Sequence, residues 1–575
     1  MKKNNIILLT ALTVVAVLVS GCGFLDKNPD MRATIDTKEK VQLLLVSAYT
    51  RANFGAICEF SSDQVIDNNA PDKTGHCNSL QPLDKMYDEI FAWEVIKSDG
   101  NQDSPKYIWD ACYSAIATCN HALVAIDELE AKGIDMHAER GEALISRAYH
   151  HFILANVFCQ AWKDENLSKQ DLGITYMTVP ETTVAPHYER GTLADTYKCI
   201  QKDIEEGLPL VDDNYYSVPK YHFNVKAAHA FAARFYLYTR QWDKVIEHAN
   251  HVLSTDDATT LSLLYDAKEG YALNDPYQEQ LLWISPTAQF NLLLYTTMSQ
   301  VPYTIYPTYG RYYHNGEASD YSSLGSGPCW GSQFPGYPHW QYDQKYGTFC
   351  AKFLYLFEYT DKVQGYGYIH GVTRAFTTNE TLLCRAEAKV FKNDFAGATN
   401  DLRMWAQGYN GTGRMDTLPD GTVNLTIDKI QKFYNPAADK HFVPDLHASD
   451  MSPEFVVTEE QKPFVCCALH FRRMETLHDG LRWFDLKRYG IEITHQRGTE
   501  PLRTLVWNDD RRAIQLPIDV MVAGMTPNPR VNLGDQVSPA SSATAVPYTP
   551  SGDPTVTFPR IDFGTQLTKR IVEED

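Results

Sequence analysis

This chain of 575 residues is short of positive charge: 52 Lys and Arg face 72 Asp and Glu, a formal net charge of -20 at pH 7. Nucleic acids and anionic membrane surfaces both reward Lys and Arg, so neither is an expected partner, while neutral ligands such as glycans are left open. Cysteine spacing that would hold a metal is also missing. The 12 cysteines include no CxxC pair and no Cys/His cluster at zinc spacing, and the adjacent Cys466 and Cys467 are too local to close a loop. Some of the others are expected to pair in an oxidising compartment. No HExxH, GxSxG or phosphate-binding glycine loop occurs, and Gly325, Gly327 and Gly331 do not follow a strand. A glycosidase would need two carboxylates facing across a cleft, and nothing in the sequence marks such a pair. The chain therefore reads as a binding protein without cofactor, not as an enzyme.

Long apolar runs are absent but for one. Ile6 to Val19 follows Met1-Lys2-Lys3 and ends in Leu18-Val19-Ser20-Gly21-Cys22. It is shorter than the ~20 apolar residues a membrane span requires. Its basic start, apolar centre and small residues before a cut describe a secretory signal over residues 1–21. The cysteine directly after the cut fits a lipobox, whose thiol carries a diacylglyceryl group. Cys22 is the expected lipidation site, leaving a mature chain anchored to a membrane by two or three acyl chains and otherwise soluble.

What is abundant is apolar and aromatic side chain: 44% of residues are hydrophobic and 22% charged, enough for a large core. Three stretches carry a helical period: Glu139 to Trp162, Val225 to Leu253 and Glu380 to Leu402. In the second and third, Ala233 and Ala386 stand nine residues before Trp242 and Phe395. That is the arithmetic of tetratricopeptide hairpins, in which a small residue of one helix accepts a large one of its neighbour. Further helices are predicted at Lys38–Arg51, Tyr107–Leu129 and Leu193–Leu210.

From about residue 295 to 370 the composition shifts to Tyr, Trp, Gly and Pro with no sustained period, which predicts long irregular loops. The tail from Arg497 reads likewise. Aromatic rings cover the C–H face of a sugar while neighbouring polar groups satisfy its hydroxyls. Tyr312, Tyr313, Tyr321, Trp330, Tyr337, Trp340 and Tyr342 are the candidate ligand residues, with Trp93 and Asn101 contributing from an earlier loop. In that loop Asp99, Asn101 and Asp103, with Asp110 at the twelfth position, follow a calcium-loop spacing. Ser104 replaces the required glycine and Asp110 the usual Glu, which favours a solvated turn or helix cap over a structural calcium ion.

The order CGFLDKNPD, WDACYSAIATCNHAL, GEALISRAYHHFILANVF, VKAAHAFAARFYLYTRQWDKVIEHA, ETLLCRAEAKVFKNDFAGA, DGLRWFDLKRYG and LPI resembles the SusD/RagB family of outer-membrane lipoproteins of Bacteroidetes. One departure is that Asn528-Pro529-Arg530 runs into a longer tail. The resemblance implies a mainly α, SusD-like fold: a tetratricopeptide-like helical-hairpin scaffold with loop excursions forming a ligand-binding face. It implies one domain over residues 22–575, with scaffold at about 38–290 and 375–530 and the aromatic ligand region at about 295–370. It also implies capture of glycans, or in some members peptides, at the cell surface of the outer membrane, beside a SusC-like TonB-dependent β-barrel transporter. Within DGLRWFDLKRYG, Asp485 is expected to pair with nearby Arg or Lys while Trp483, Phe484 and Leu486 are buried, a structural block and not a charged site.

Overall fold

The structure is a computed structural model that describes residues 35–71, 74–183, 186–301, 311–314, 326–331, 341–343, 347–349, 352–411, 413–438, 442–530 and 536–538. Its main helices are α1 (Lys38–Leu45), α2 (Gly55–Ser61), α3 (Lys85–Phe91), α4 (Pro105–Glu130), α5 (His137–Phe158), α6 (Leu193–Gly207), α7 (Val225–Tyr238), α8 (Trp242–Val252), α9 (Thr378–Phe391), α10 (Phe395–Gly408), α11 (Lys462–Glu475) and α12 (Leu481–Arg488). Many start at a side-chain cap. Ser104 Oγ accepts from Tyr107 N with Pro105 at the first helical position, and Asn224, Thr377 and Asp394 cap α7, α9 and α10. No helix among the described residues is long and apolar enough to cross a membrane.

The helices stack as hairpins: α4 lies on α5, α5 on α6, α7 on α8, α8 on α9, and α9 on both α10 and α11. The two hairpins predicted from alanine–aromatic spacing are α7–α8 and α9–α10, and they share one turn. Arg240 (φ 60°) and Asn393 (φ 59°) hold the left-handed position, and the next residues, Gln241 and Asp394, each donate at 2.9 Å to Tyr236 O and Lys389 O. Ala233 and Ala386 are fully buried as expected. The large residues go elsewhere: Trp242 stacks on Phe391 of α9 (4.2 Å, 5°) and Phe395 on Phe464 of α11 (4.7 Å, 29°). Each aromatic thus ties its hairpin to the next, the contact by which stacked repeats acquire a shared core.

Helix α5 is buried on nearly every side and is the axis of the main apolar cluster, which runs from Tyr49 to Leu516. It also explains why the first helix stops at Leu45 and not at the predicted Arg51. Ser146 Oγ donates to Ala48 O, and Thr50 N donates to His150 Nε2 at 2.9 Å, so α5 captures the backbone just past α1. The ten described cysteines form no disulfide among themselves, and eight of them are buried thiols.

The stretch predicted as irregular contains a sheet. Strands β2 (Asn291–Thr297), β6 (Leu356–Asp361) and β7 (Tyr366–Thr377) form an antiparallel sheet with β7 in the centre, and β7 runs directly into α9 through its cap Thr377. The short pairs β1 (Ile66–Asp67) with β3 (Tyr312–Tyr313), and β4 (Gln341–Asp343) with β5 (Gly347–Phe349), lie in the same region. Toward the tail, β8 (Ile493–His495), β9 (Leu502–Leu505) and β10 (Gln536–Ser538) form a second three-stranded antiparallel sheet.

An early and a late segment of the chain, α2 and α12, meet at Gly480, which precedes α12. Gly480 has φ +79°, donates to Glu59 Oε1 at 2.9 Å, and a Cβ there would stand 2.8 Å from Gly55 Cα and 3.0 Å from Cys58 Cβ. Gly480→Ala is expected to cost about 2–3 kcal/mol through left-handed strain and overpacking, read as a lower midpoint in thermal unfolding.

Candidate functional site

The aromatic excursion is fastened to the scaffold by its own largest rings. Tyr312 is buried, its ring 4.6 Å from Phe91 and edge-on to Phe60, with its hydroxyl donating to Asp88. Beside it, Arg311 forms a fork on Asp67 (2.9 and 3.1 Å) and reaches Asp88 at 2.9 Å, and Gly498 N also donates to Asp67. These carboxylates hold the Arg311 guanidinium above its usual value against the opposing effect of burial. Trp330 is buried against His470 and Phe471 of α11. Its loop closes through Gly327 N to Gly331 O at 3.0 Å, and a Cβ on Gly327 would fall 2.0 Å from the indole.

Four of the candidate ligand residues are buried. Only 3% and 7% of the surface of Tyr312 and Trp330 is exposed. Trp93 is buried too: it stacks on His495 (4.3 Å), donates from Nε1 to Ser61 O at 3.0 Å, and holds φ 54°. Asn101 turns inward, donating to Asp84 and Gln300 at 3.1 Å and accepting from Asp103 N. The physical reason is common to all: long loops on a helical scaffold need a core of their own, and large rings supply it. Tyr313 pairs with Ile66 in β3 and Tyr342 with Thr348 in β4. Tyr321, Tyr337, Trp340 and Cys22 lie outside the described residues.

The calcium-spaced side chains are spent on other partners. Asp103 is fully buried and accepts from Ser299 Oγ (2.6 Å) and Gln300 N (2.8 Å), Ser104 caps α4, and Asp110 pairs with Lys106. Burial pushes the Asp103 carboxyl up to about 7, despite those two bonds. Among the described residues no group of three or more His, Cys, Asp or Glu is placed to hold a metal ion.

Three tyrosines that face solvent lie along the β6–β7 hairpin. Tyr359, Tyr366 and Tyr368 are 44%, 66% and 49% exposed. Tyr366 and Tyr368 project from the same side of β7, with Glu358 opposite Tyr368. Gln102 donates to Ile369 O at 3.3 Å, joining the early loop to this hairpin. The half-buried Tyr107 hydroxyl is held above its usual pKa, first by burial and then by Asp103 and Tyr368, while Arg51 opposes the rise. The sequence carried a signal here that was missed. Around Gly365, Phe357-Glu358-Tyr359 and Tyr366-Gly367-Tyr368-Ile369 alternate as the two arms of a hairpin.

Residues 23–237 match a family model of SusD-like proteins described as starch-binding and associating with the outer membrane. Among solved structures, the fold resembles a putative sugar binding protein from Bacteroides vulgatus (TM-score 0.58, 17% identity, 87% of this chain and 99% of that one). It also resembles a SusD superfamily protein from Bacteroides thetaiotaomicron (TM-score 0.55, 16% identity, 86% and 99%). The fold is SusD-like.

No curated protein matches this chain. The block that carried much of its resemblance proves to be architecture. Trp483, Phe484 and Leu486 are buried, Asp485 bonds Arg488 (2.7 Å) and Arg472 (3.2 Å), and Arg482 bonds Asp63 (2.8 Å). The SusD-like fold therefore places its charged signature inside, while Tyr359, Tyr366 and Tyr368 stay exposed on the β6–β7 hairpin.

Proposed function

We propose that this SusD-like chain is a glycan-binding lipoprotein of the cell surface, tethered to the outer membrane through Cys22. It captures oligo- or polysaccharide and passes it to a SusC-like TonB-dependent β-barrel, with no chemistry on the ligand. The observation that carries the reading is the match of residues 23–237 to a starch-binding, outer-membrane-associating family. The solved relative named as a sugar-binding protein supports it.

The ligand face is read as the aromatic excursion, with Tyr313, Tyr321, Tyr337, Trp340 and Tyr342, extended by Tyr366 and Tyr368 of the hairpin. The buried Tyr312, Trp330, Trp93 and Asn101 hold that face in place. Exposed tyrosines suit sugars because each offers a flat apolar ring and a hydroxyl at one side chain. Removing both Tyr366 and Tyr368 by substitution with Ala should weaken glycan affinity roughly tenfold while leaving the unfolding midpoint unchanged. Calorimetry against a panel of glycans and peptides tests this. Binding of peptides alone, or release of reducing sugar during incubation, would overturn the reading.

A further inference from the structure

A cluster of imidazoles lies on the α7–α8 hairpin. His229 of α7 and His248 of α8 bring their Nδ1 atoms to 3.1 Å. His251, one turn beyond His248 and exposed, stacks on His229 with ring centroids 4.3 Å apart. The His248 ring is oriented by stacking on Tyr236 (5.3 Å, 14°), whose hydroxyl is fixed by Glu205 at 3.2 Å. Two nitrogens this close share one proton, so one ring is the Nδ1–H tautomer and the other offers a lone pair.

We propose that this histidine cluster is a binding site for a divalent late transition metal ion, of the class of Zn²⁺, Ni²⁺ or Cu²⁺. Two ligands on a tetrahedral ion with N–metal bonds of 2.0–2.1 Å stand about 3.3 Å apart, close to the spacing already present. Imidazole nitrogen is the donor this class of ion favours. On binding, the Nδ1–H tautomer shifts its proton to Nε2, both Nδ1 lone pairs face the ion, and two of the ion's waters leave. No redox change or other reactant is needed.

His251 supplies the third nitrogen by leaving its stack on His229 and rotating about its side chain. Residues 248 and 251, three apart, share a helix face. Such movement is required because no three of these groups surround one point among the described residues. The partial exposure of all three rings gives the ion a path in. Once bound, the ion ties α7 to α8 across the turn at Arg240.

The test uses the purified full chain stripped with chelator and titrated calorimetrically with Zn²⁺ and Ni²⁺. One saturable site per chain is expected, weakened at least tenfold in His229→Gln and in His248→Gln, and severalfold in His251→Gln. Zn²⁺ should raise the unfolding midpoint of the parent and not of His229→Gln, with the metal-free midpoints and circular dichroism of the variants serving as the folding control. With 18 histidines in the chain, the variants decide the location. Absence of saturable binding at millimolar metal, or equal binding in His229→Gln and His248→Gln, would overturn the proposal. Unchanged affinity in His251→Gln would overturn the third ligand.

Discussion

Asp485→Ala is expected to lower the stability of the folded chain by about 3–5 kcal/mol, among the largest effects any single side chain here can have. Asp485 is fully buried and accepts from Arg488 at 2.7 Å and Arg472 at 3.2 Å. Arg472 also bonds Glu380 (3.2 Å), which Arg234 shares (3.2 Å), and Arg488 forms a fork on Glu387 (2.8 and 3.1 Å). Three guanidinium and three carboxylate groups from α7, α9, α11 and α12 thus balance inside the core. Deleting one carboxylate leaves three buried guanidinium groups sharing two carboxylates, and the cost of that excess charge exceeds the net worth of the pair it broke. Asp485→Asn keeps the shape and one acceptor oxygen, so it should lose less. Unfolding in guanidinium chloride, followed by circular dichroism, checks the order parent, Asn, Ala; an Ala variant as stable as the parent would refute the account. The arginines also hold the Asp485 and Glu380 carboxyls below their usual values. That part of the stability is complete above the ordinary carboxylate range and is lost as pH falls through the lowered values.

The same block shows what a sequence discloses and what it does not. The helices that were legible carry an apolar period, and most of them open at a side-chain cap as well, though α5 and α8 have none. The α7–α8 and α9–α10 pairs were found from alanine–aromatic spacing. Their common turn was not, since Arg240 and Asn393 share a left-handed backbone but no residue type. The β6–β7 hairpin was lost because its short alternation around Gly365 lies inside a Gly- and Tyr-rich stretch whose composition reads as loop. Exposure was the hardest property to read. Tyr312 and Trp330 are as aromatic as Tyr366 and Tyr368, and only the packing of Phe60, Phe91, His470 and Phe471 decides which rings are inside. Asn101, read as a ligand group, is instead bound by Asp84, a partner that local spacing does not announce.

Mild acid is expected to destabilise the fold through two adjacent histidines of α5. In each, Nδ1 donates to the carbonyl four residues back, His150 to Ser146 O (2.7 Å) and His151 to Arg147 O (2.9 Å). Each Nε2 then accepts a backbone N–H, from Thr50 (2.9 Å) and Met177 (3.0 Å). A second proton would face donor against donor in a dry site. Burial accordingly lowers the two imidazoles from 6.5 to about 4 and about 3. Between those values and 6.5 the unfolded chain binds protons that the folded chain refuses, so stability is full above 6.5 and declines as pH falls below it. From pH 7.5 to 5 the loss is about 2 kcal/mol for each histidine, about 4 for the pair. Asp103 works in the opposite sense: its carboxyl, raised to about 7, takes up a proton in the folded state first and so adds stability over the same interval. In an Asp103→Asn background that opposing effect is removed, and the decline from the pair adds to that of His229, His248, His478 and His495, which burial also lowers. Guanidinium unfolding at pH 7.5 and pH 5 isolates one member by difference: His151→Gln, whose Oε1 can still accept from Met177, should reduce the decline by about 2 kcal/mol. If His151→Gln leaves the pH dependence as steep as before, the imidazole was already able to take its proton in the folded chain, and the two histidines are not the acid-sensitive joints of the scaffold.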